Sequence, residues 1–335
     1  MRKKAKFILI ILALGFLMVA GLMVHGSWRK AGLDHDSQRL IIFHAGSLAV
    51  PFKQICEEFS AHYPKVEIIR EAAGSRVCAR KVADLKRPCD VVACSDYTVI
   101  DTLLIPEYAE WNIKFASSEM VIAFREGSRK AGDINKDNWH DILLQRDVAF
   151  GRSDPNADPC GYRTILVMML AEKFCSKPGL AGRMLAKDTK YIRPKEVDLL
   201  SLLEIGELDY IFIYRSVAKQ HKLDYIVLPD EINLKNVAFA DFYRSASVRL
   251  VGKKPGSLIT RVGEPIIYGV TVPKNAPNPQ LAVAFLTFLL DANSGGAVLE
   301  RNGQTLIVPS PTGTFDKLPD CLKIFALPVE QEDKR

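Results

Sequence analysis

Three loops in this sequence combine small or hydroxyl-bearing residues with the predicted start of a helix, an arrangement suited to binding an anion. The most distinctive covers residues 154–163 (DPNADPCGYR). It follows a short strand-like run that Gly151 is expected to end, and a helical pattern begins at Tyr162. The first turn of a helix has backbone N–H groups without intrahelical partners and carries the positive end of the helix dipole. Such a loop can therefore hold a negatively charged oxygen.

The other two loops place Ser47 after Gly46 and Ser75 after Gly74, each at a predicted strand-to-helix turn. Each serine can offer a hydroxyl and a backbone N–H to an anion, and each glycine lets the backbone approach a ligand closely. The simpler alternative is that both serines only cap helices, the commonest role of serine at such a position. Two such turns together with the loop at residues 158–160 favour an anion site.

Two residues could instead serve an enzyme. Ser47 has His44 three residues before it, but the stretch is not a G-x-S-x-G elbow and shows no triad order. Cys160 could be a thiolate at a helix start, although no partner histidine is identifiable. We therefore expect a non-enzymatic protein without a cofactor, with a cleft hydrolase as the alternative.

The elements that must position these loops alternate between strand and helix. Three strand–loop–helix units before residue 105 predict a parallel sheet built from βαβ units. Apolar runs at residues 120–124 and 265–272 predict two crossing strands, and a long helix is expected over residues 280–301. Together these patterns predict an α/β protein with two lobes around a cleft, where ligands bind beyond the carboxyl ends of the strands.

The distribution of charge argues against nucleic-acid binding. The 335 residues carry a net charge of +6, but residues 1–33 alone hold six basic residues and no acid, so the remainder is neutral. A basic n-region at residues 2–6 precedes an apolar run at residues 7–24, which predicts a secretory signal or an uncleaved anchor. The basic flank keeps that end cytoplasmic, so the rest of the chain is exported. If the segment is retained, an anchored sensor is a further alternative.

The seven cysteines leave two interpretations open. In an oxidising compartment a disulfide could form among Cys78, Cys89 and Cys94. Buried free thiols explain the same residues equally well. No His/Cys cluster has the spacing of a zinc site.

Four segments of the chain resemble the tungstate/molybdate-binding proteins of ABC uptake systems. The segments are residues 44–48 (HAGSL), 71–75 (EAAGS), 154–163 and 206–218 (GELDYIFIYRSVA), within a resemblance that covers most of residues 40–312. It implies a two-lobed periplasmic-binding-protein fold of type II. The expected organisation is a signal peptide or anchor at residues 1–33, lobe 1 at residues 38–119 and 270–327, and lobe 2 at residues 120–269.

The resemblance also implies which residues bind the oxyanion. The expected residues are Gly46, Ser47 and Ser75 from one lobe, and Asp158, Pro159, Cys160, Glu196 and Tyr214 from the other. In the branch of the family that this chain most resembles, two carboxylates approach the metal and raise it from four- to six-coordinate. These roles fall on Asp158 and Glu196. By the same resemblance, residues 175–196 look shorter than in the archaeal relatives, so Asp198 and Glu204 are alternatives to Glu196. Glu196 could also be a solvated acid at a helix start.

Carboxylates belong in an anion site only under a condition. At about 4 Å and an effective dielectric of about 20, two unit negative charges repel each other by about 4 kcal/mol. A charge-assisted hydrogen bond returns only about 1.5–3 kcal/mol. The acids must therefore bond to the metal or be protonated. Tungsten and molybdenum expand their coordination more readily than sulfur does, so such acids would discriminate against sulfate.

The resemblance finally implies a location and partners. We expect a monomer in the periplasm or on the extracytoplasmic face, which delivers tungstate or molybdate to an ABC permease and its ATPase. Contact with the membrane is expected only through the N-terminal segment. The alternative within the same class is a receptor for sulfate or phosphate.

Overall fold

The computed structural model describes residues 39–254 and 256–329, and the expected signal or anchor segment lies outside this part of the chain. Two β-sheets with flanking helices organise it. We call the six-stranded sheet with its helices the first lobe, and the five-stranded sheet with its helices the second lobe.

The sheet of the first lobe has the strand order β13-β4-β12-β3-β1-β2. Strand β1 pairs in parallel with β2 and β3, while β12 runs antiparallel to both β3 and β4, so the sheet is mixed. Its strands are β1 Arg39–Ala45, β2 Glu67–Ala73, β3 Val91–Cys94, β4 Ile113–Ser117, β12 Ile267–Thr271 and β13 Thr305–Leu306.

The longest helices of the first lobe pack against each other through apolar residues at helical spacing. Phe52, Ile55 and Phe59 are fully buried on one face of the helix Ala49–His62. Phe59 meets Phe285 edge to face, with ring centroids 5.3 Å apart. The helices of this lobe are Ala49–His62, Ser75–Ala83, Tyr97–Leu103, Pro279–Leu290 and Gly295–Arg301.

The sheet of the second lobe has the strand order β7-β6-β8-β5-β9. Strand β6 is parallel to β7 and β8, whereas β5 is antiparallel to β8 and β9. Its strands are β5 Met120–Phe124, β6 Phe150–Ser153, β7 Ile192–Arg193, β8 Tyr210–Tyr214 and β9 Asp224–Val227. Its helices are Trp139–Leu143, Pro159–Phe174, Leu180–Ala186, Leu199–Glu204, Arg215–Gln220 and Ala240–Arg244.

The chain crosses between the sheets twice. It leaves the first sheet after β4 and enters the second with β5, and it returns with β12. Strand β12 begins at Ile267, ahead of the expected boundary at residue 270. A hairpin of β10 (Ser247–Val251) and β11 (Leu258–Val262), which the sequence patterns did not predict, precedes this return. A short pair, β14 (Ser310–Thr312) and β15 (Ala326–Pro328), follows the first-lobe strands.

Three predicted boundaries are wrong. Gly151 lies inside β6 rather than ending the strand, because the missing side chain makes room for Leu199 and Leu208: a Cβ there would lie 2.8 Å and 2.7 Å from their methyl carbons. The following helix begins at Pro159, not at Tyr162, since proline suits the first turn. The predicted helix over 280–301 is two helices, because Asp291 leaves the helical conformation.

The seven cysteines are free thiols in this structure. Cys78, Cys89 and Cys94 are buried in the apolar core of the first lobe. Cys78 Sγ donates to the carbonyl of His44 at 3.4 Å, and Cys89 Sγ donates to that of Val91 at 3.0 Å. Of the two interpretations left open by the sequence, the structure shows buried thiols.

Within the described residues, no single helix is both long and apolar enough to cross a membrane. The helices Pro279–Leu290 and Gly295–Arg301, bent by 49°, reach that length and hydropathy only as a pair. Their apolar side chains, including Leu281, Phe285 and Leu299, are buried in the first lobe.

The helix Pro159–Phe174 packs unusually close to β6. A Cβ on Gly161 would lie 2.4 Å from the carbonyl oxygen of Ser153 and 2.6 Å from the backbone carbon of Asp154. Since both neighbours are backbone atoms, they cannot rotate away. Glycine is therefore required here for helix–strand contact.

We predict that Gly161→Ala lowers the free energy of unfolding by about 1–3 kcal/mol, the usual cost of overpacking. Gly182→Ala is the matched control, because a Cβ there meets no atom within 4 Å and alanine favours a helix by up to about 1 kcal/mol. Denaturant unfolding of both variants measures the difference. Equal stability of the two would contradict the close packing at Gly161.

Candidate functional site

The two lobes touch at two glycines that follow the first two strands. A Cβ on Gly46 would lie 3.0 Å from Oε2 of Glu196, and one on Gly74 would lie 2.3 Å from the carbonyl oxygen of Ala157. Glu196 and Ala157 both belong to the second lobe. The sequence predicted that these glycines let the backbone approach a ligand, and that stays a prediction. The structure shows that they let the backbone approach the opposite lobe.

Ser47 and Ser75 are fully buried, and neither side chain caps a helix. The hydroxyl oxygen of Ser75 accepts from the backbone N–H of Ser95 at 2.9 Å and lies 3.1 Å from the Ser95 hydroxyl. The hydroxyl oxygen of Ser47 accepts from the Tyr268 hydroxyl at 3.3 Å. The simpler interpretation of these serines as plain caps therefore does not describe the structure.

Both first-lobe loops lead into helical turns that have no side-chain cap. The 3₁₀ turn Gly46–Leu48 follows β1, and the helix Ser75–Ala83 follows β2 with Gly74 at its N-cap position. The residues at the N-cap positions, Ala45 and Gly74, have no side-chain carboxylate that could accept from the free backbone N–H groups. The amide dipoles at the two starts thus give this side of the cleft a positive character.

The third loop differs from the sequence-based expectation. Asp158 is the N-cap of the helix Pro159–Phe174, and its Oδ1 accepts from the backbone N–H of Cys160 at 3.3 Å. Its Oδ2 accepts from the backbone N–H of Glu196 at 3.0 Å. This helix start is therefore closed by its own carboxylate rather than left open to an anion. Asp158 is only 1% exposed, and burial raises its pKa while these hydrogen bonds oppose the rise.

Glu196 is a buried carboxyl at the point where the second lobe meets Gly46 of the first. It begins the 3₁₀ turn Glu196–Asp198, is 1% exposed, and neither carboxyl oxygen has a hydrogen-bond partner among the described residues. Burial, and then the neighbouring Asp158 carboxylate, raise the pKa of Glu196 well above its ordinary value. A buried carboxyl without partners is costly as an anion, so it either holds a proton or meets an electron-poor centre.

The alternatives to Glu196 lie in different surroundings. Asp198 is partly exposed and pairs with Lys195 at 3.4 Å. Glu204 is exposed at the end of its helix. The structure brings neither of them to Asp158.

The remaining predicted residues line the same region. Pro159 is buried as the first residue of its helix. Tyr214 ends β8, and its hydroxyl oxygen accepts from Nη1 of Arg163 at 2.9 Å while the hydroxyl lies 3.4 Å from the Ser95 hydroxyl. Cys160 is buried, and its thiol donates to the carbonyl of Phe212 at 3.6 Å.

Neither the candidate nucleophile Cys160 nor His44, the candidate base for Ser47, is in the protonation state that catalysis needs. Burial raises the pKa of Cys160 well above its ordinary value, so the thiolate that a nucleophile needs is disfavoured. Burial lowers the pKa of His44 to about 4, and its Nδ1 lies 2.8 Å from the carbonyl oxygen of Ala45. His44 is therefore a neutral, structural histidine.

Three residues of the candidate site were not predicted from the sequence. Ser95 directly follows β3, so the rule that ligands bind beyond strand ends could have found it. Arg163 is the last residue of the motif at residues 154–163, but nothing in the sequence indicated which residues it contacts. Tyr268 lies within an apolar strand, and no local pattern distinguishes its hydroxyl.

Comparison with known proteins identifies the family. Residues 40–304 match the family described as bacterial extracellular solute-binding protein. An uncharacterized solute-binding protein of Petrotoga mobilis is 48% identical over 323 residues, which is 96% of each chain. The molybdate/tungstate-binding protein WtpA of Pyrococcus abyssi is 44% identical over 314 residues, 85% of this chain and 89% of its own. The chain therefore belongs to this family of solute-binding proteins.

Solved structures show the same fold at low sequence identity. The periplasmic molybdate-binding protein of Azotobacter vinelandii has a TM-score of 0.59 at 14% identity, covering 81% of this chain and 99% of its own. The sulfate-binding protein SubI of Mycobacterium tuberculosis has the same TM-score and identity, covering 87% and 92%. The predicted two-lobed α/β fold is confirmed.

The buried carboxyl of Glu196 makes a prediction about stability. Because its pKa is raised in the folded state, the folded protein binds more protons than the unfolded chain above the ordinary value of about 4.5. The free energy of unfolding of the oxyanion-free protein should therefore fall as pH rises above that value, by up to about 1.4 kcal/mol per pH unit for this one group. Glu196→Gln should remove this component and be more stable than the wild type at pH 8.

Urea unfolding at pH 5, 6.5 and 8 measures the free energy of unfolding of both proteins. Groups that titrate equally in the wild type and in Glu196→Gln cancel in the difference between them. Glu204→Gln, at an exposed carboxylate, is the control and should follow the wild type. A Glu196→Gln curve parallel to that of the wild type would show that Glu196 ionises normally.

Proposed function

We propose that this chain, a member of the bacterial extracellular solute-binding proteins, binds molybdate or tungstate outside the cytoplasm and delivers it to an ABC permease with its ATPase. The observation that carries the proposal is the buried Glu196 carboxyl, whose oxygens have no partner among the described residues. The relative from Pyrococcus abyssi, named for binding these two oxyanions, supports the choice of ligand.

The first lobe would bind the oxygen atoms of the anion. Ser47 and Ser75 provide hydroxyls, and the uncapped turns at Gly46–Leu48 and Ser75–Ala83 provide backbone N–H groups. Tyr214 adds a phenol from the second lobe. Each charge-assisted hydrogen bond of this kind contributes about 1.5–3 kcal/mol.

The second lobe would address the metal atom. Glu196 faces the backbone of Gly46 across the cleft, and the Asp158 carboxylate beside it is held in place by two backbone N–H groups. Two acids so close to a dianion repel it unless they bond to its central atom. Molybdenum and tungsten can accept two more oxygen ligands, so the proposal assigns the metal contacts to Asp158 and Glu196.

The same arrangement disfavours a receptor for sulfate or phosphate, the alternative in the same class. Sulfur and phosphorus in these ions do not readily add carboxylate ligands, so Glu196 would meet them only as a protonated group or as a repelling charge. Likewise, the protonated thiol of Cys160 and the neutral His44 disfavour the cleft hydrolase. The proposal is thus a non-enzymatic, monomeric receptor without a cofactor, acting in the periplasm or on the extracytoplasmic face.

Calorimetric titration of the purified protein with molybdate, tungstate, sulfate and phosphate tests the proposed ligand. We expect tight one-to-one binding of molybdate and tungstate and no measurable heat with sulfate. Binding of sulfate or phosphate as tightly as molybdate would establish the alternative receptor. No binding of any of the four ions would overturn the proposal.

The carboxylate roles are tested by Glu196→Gln and Asp158→Asn. Each change keeps the size of the side chain, and asparagine can still cap the helix. Loss of one charged contact should weaken molybdate binding by about 10–100-fold, whereas Glu204→Gln should leave it unchanged. Unchanged affinity in both site variants would remove Asp158 and Glu196 from the metal.

A further inference from the structure

Arg163 is a buried arginine that contacts both lobes. It is 2% exposed and lies in the helix Pro159–Phe174 of the second lobe. Its Nη1 donates to the backbone carbonyl of Ser95 at 2.6 Å and to the hydroxyl oxygen of Tyr214 at 2.9 Å. Its Nη2 lies 3.5 Å from Oδ2 of Asp96.

The partners of this guanidinium lie on opposite sides of the cleft. Tyr214 ends β8 in the second lobe, whereas Ser95 and Asp96 follow β3 in the first lobe. The neighbouring Tyr162 also crosses the cleft, and its hydroxyl donates to the carboxylate of Asp96. Contacts of Asp96 with Arg163 and Tyr162 therefore exist only while the lobes are together.

Asp96 is prepared for this pairing by its own lobe. It is the N-cap of the helix Tyr97–Leu103, and its Oδ1 accepts from the backbone N–H of Thr98 at 2.9 Å and from the Thr98 hydroxyl at 2.6 Å. Because both bonds go to Oδ1, the other carboxylate oxygen, Oδ2, is available to Arg163 and Tyr162 of the second lobe. The carboxylate is thus fixed in position and does not have to be ordered when the lobes meet.

Arg163 is also linked to two residues assigned to the oxyanion. A guanidinium only donates hydrogen bonds, so the Tyr214 oxygen must accept from it, and the phenolic proton is directed to another acceptor. On the other side, Ser95 is hydrogen-bonded to the Ser75 hydroxyl. Arg163 therefore contacts the Tyr214 hydroxyl directly and reaches the Ser75 hydroxyl only through the backbone of Ser95.

We propose that Arg163 and Asp96 form a latch between the lobes that couples oxyanion binding to lobe closure. Arg163 is a positioning residue: it orients Tyr214 and Ser95 and joins the lobes through Asp96. The inference rests on the proposed function, because the oxyanion is the ligand whose retention the latch serves.

The physical basis is the burial of both charges. With the lobes apart, water solvates Asp96 and Arg163 separately. With the lobes together, both side chains are almost fully removed from solvent, and Arg163 is the nearest cation to Asp96. Among the charged neighbours that lower the pKa of Asp96, Arg163 comes first and Arg261 second. Removing one partner leaves an uncompensated buried charge, and that penalty applies to the closed arrangement alone. Such a variant should therefore lose ligand affinity more than it loses stability in the ligand-free state.

The test is a double-mutant cycle with Asp96→Asn, Arg163→Met and the two combined. Asparagine keeps the helix cap and removes the charge. We expect each single variant to raise the Kd for molybdate by about 10–100-fold, in the range of ordinary coupling between sites. The double variant should bind molybdate no more weakly than the weaker-binding single variant, because each substitution removes the same interaction.

A second readout separates a latch from a structural role. Small-angle scattering of the ligand-free proteins should show the single variants to be less compact than the wild type, and molybdate should restore the wild-type compactness at a concentration that rises with their Kd. Urea unfolding of the ligand-free variants should show a loss of stability no larger than the free energy of opening the lobes, because opening solvates the remaining charge. Arg163→Lys, which keeps the charge but loses the planar fork, should fall between wild type and Arg163→Met and replaces it in the cycle if Arg163→Met does not fold.

Arg129→Met is the matched control. Arg129 pairs with the buried Asp209 at 2.8 Å, and both residues belong to the second lobe. This variant should lose stability and keep the molybdate Kd of the wild type. If the wild type binds molybdate, but the affinity losses of the two single variants add up in the double variant or do not occur, the latch is overturned and the proposed function is not. Wild-type protein that does not bind molybdate would overturn the proposed function and the latch with it.

Discussion

The buried carboxyl of Glu196 is the constraint on which the rest of the site depends. Its two oxygens have no hydrogen-bond partner among the described residues, and Asp158 lies beside it. An ionised carboxylate in such surroundings is costly, and a second acid nearby increases the cost. The oxyanion-free protein can avoid this cost by protonating Glu196. In the proposed site, a bound oxyanion also removes this cost, because its electron-poor metal binds the carboxylate. The buried carboxyl would thereby favour molybdate and tungstate over sulfate.

This constraint explains why the two lobes are built differently. The first lobe offers donors, with hydroxyls at Ser47 and Ser75 and helical starts that have no side-chain cap. The second lobe offers two carboxylates beside the Tyr214 phenol, and its helix start is closed by Asp158. A tetrahedral oxyanion has negative oxygens around a positive centre, so it fits between a lobe of donors and a lobe of carboxylates. The glycines at 46 and 74 let the two lobes approach each other closely, as the proposed shared site requires.

Local sequence patterns were sufficient for the turns and the fold class, and insufficient for tertiary pairings. The Gly-Ser turns were predictable because a strand, a glycine and an amphipathic helix are all local signals. Gly151 was misjudged because its role is to admit Leu199 and Leu208, which only the folded chain brings there. The role of Asp158 as a cap was likewise missed.

The site beyond these turns depended on resemblance or on the fold itself. Glu196 was selected by resemblance, and no local pattern separates it from Asp198 or Glu204. Its assignment to the metal stays a prediction. Arg163 and Ser95 are 68 residues apart in sequence, and their contact follows from the meeting of two lobes that no periodicity encodes.

The most direct test of the proposed carboxylate contacts is X-ray absorption at the molybdenum edge of the protein–molybdate complex. If Asp158 and Glu196 bind the metal, molybdenum should have six oxygen neighbours. Two of them should be more distant than the four oxo groups and should be lost in Glu196→Gln combined with Asp158→Asn. A spectrum identical to that of free, four-coordinate molybdate would contradict it.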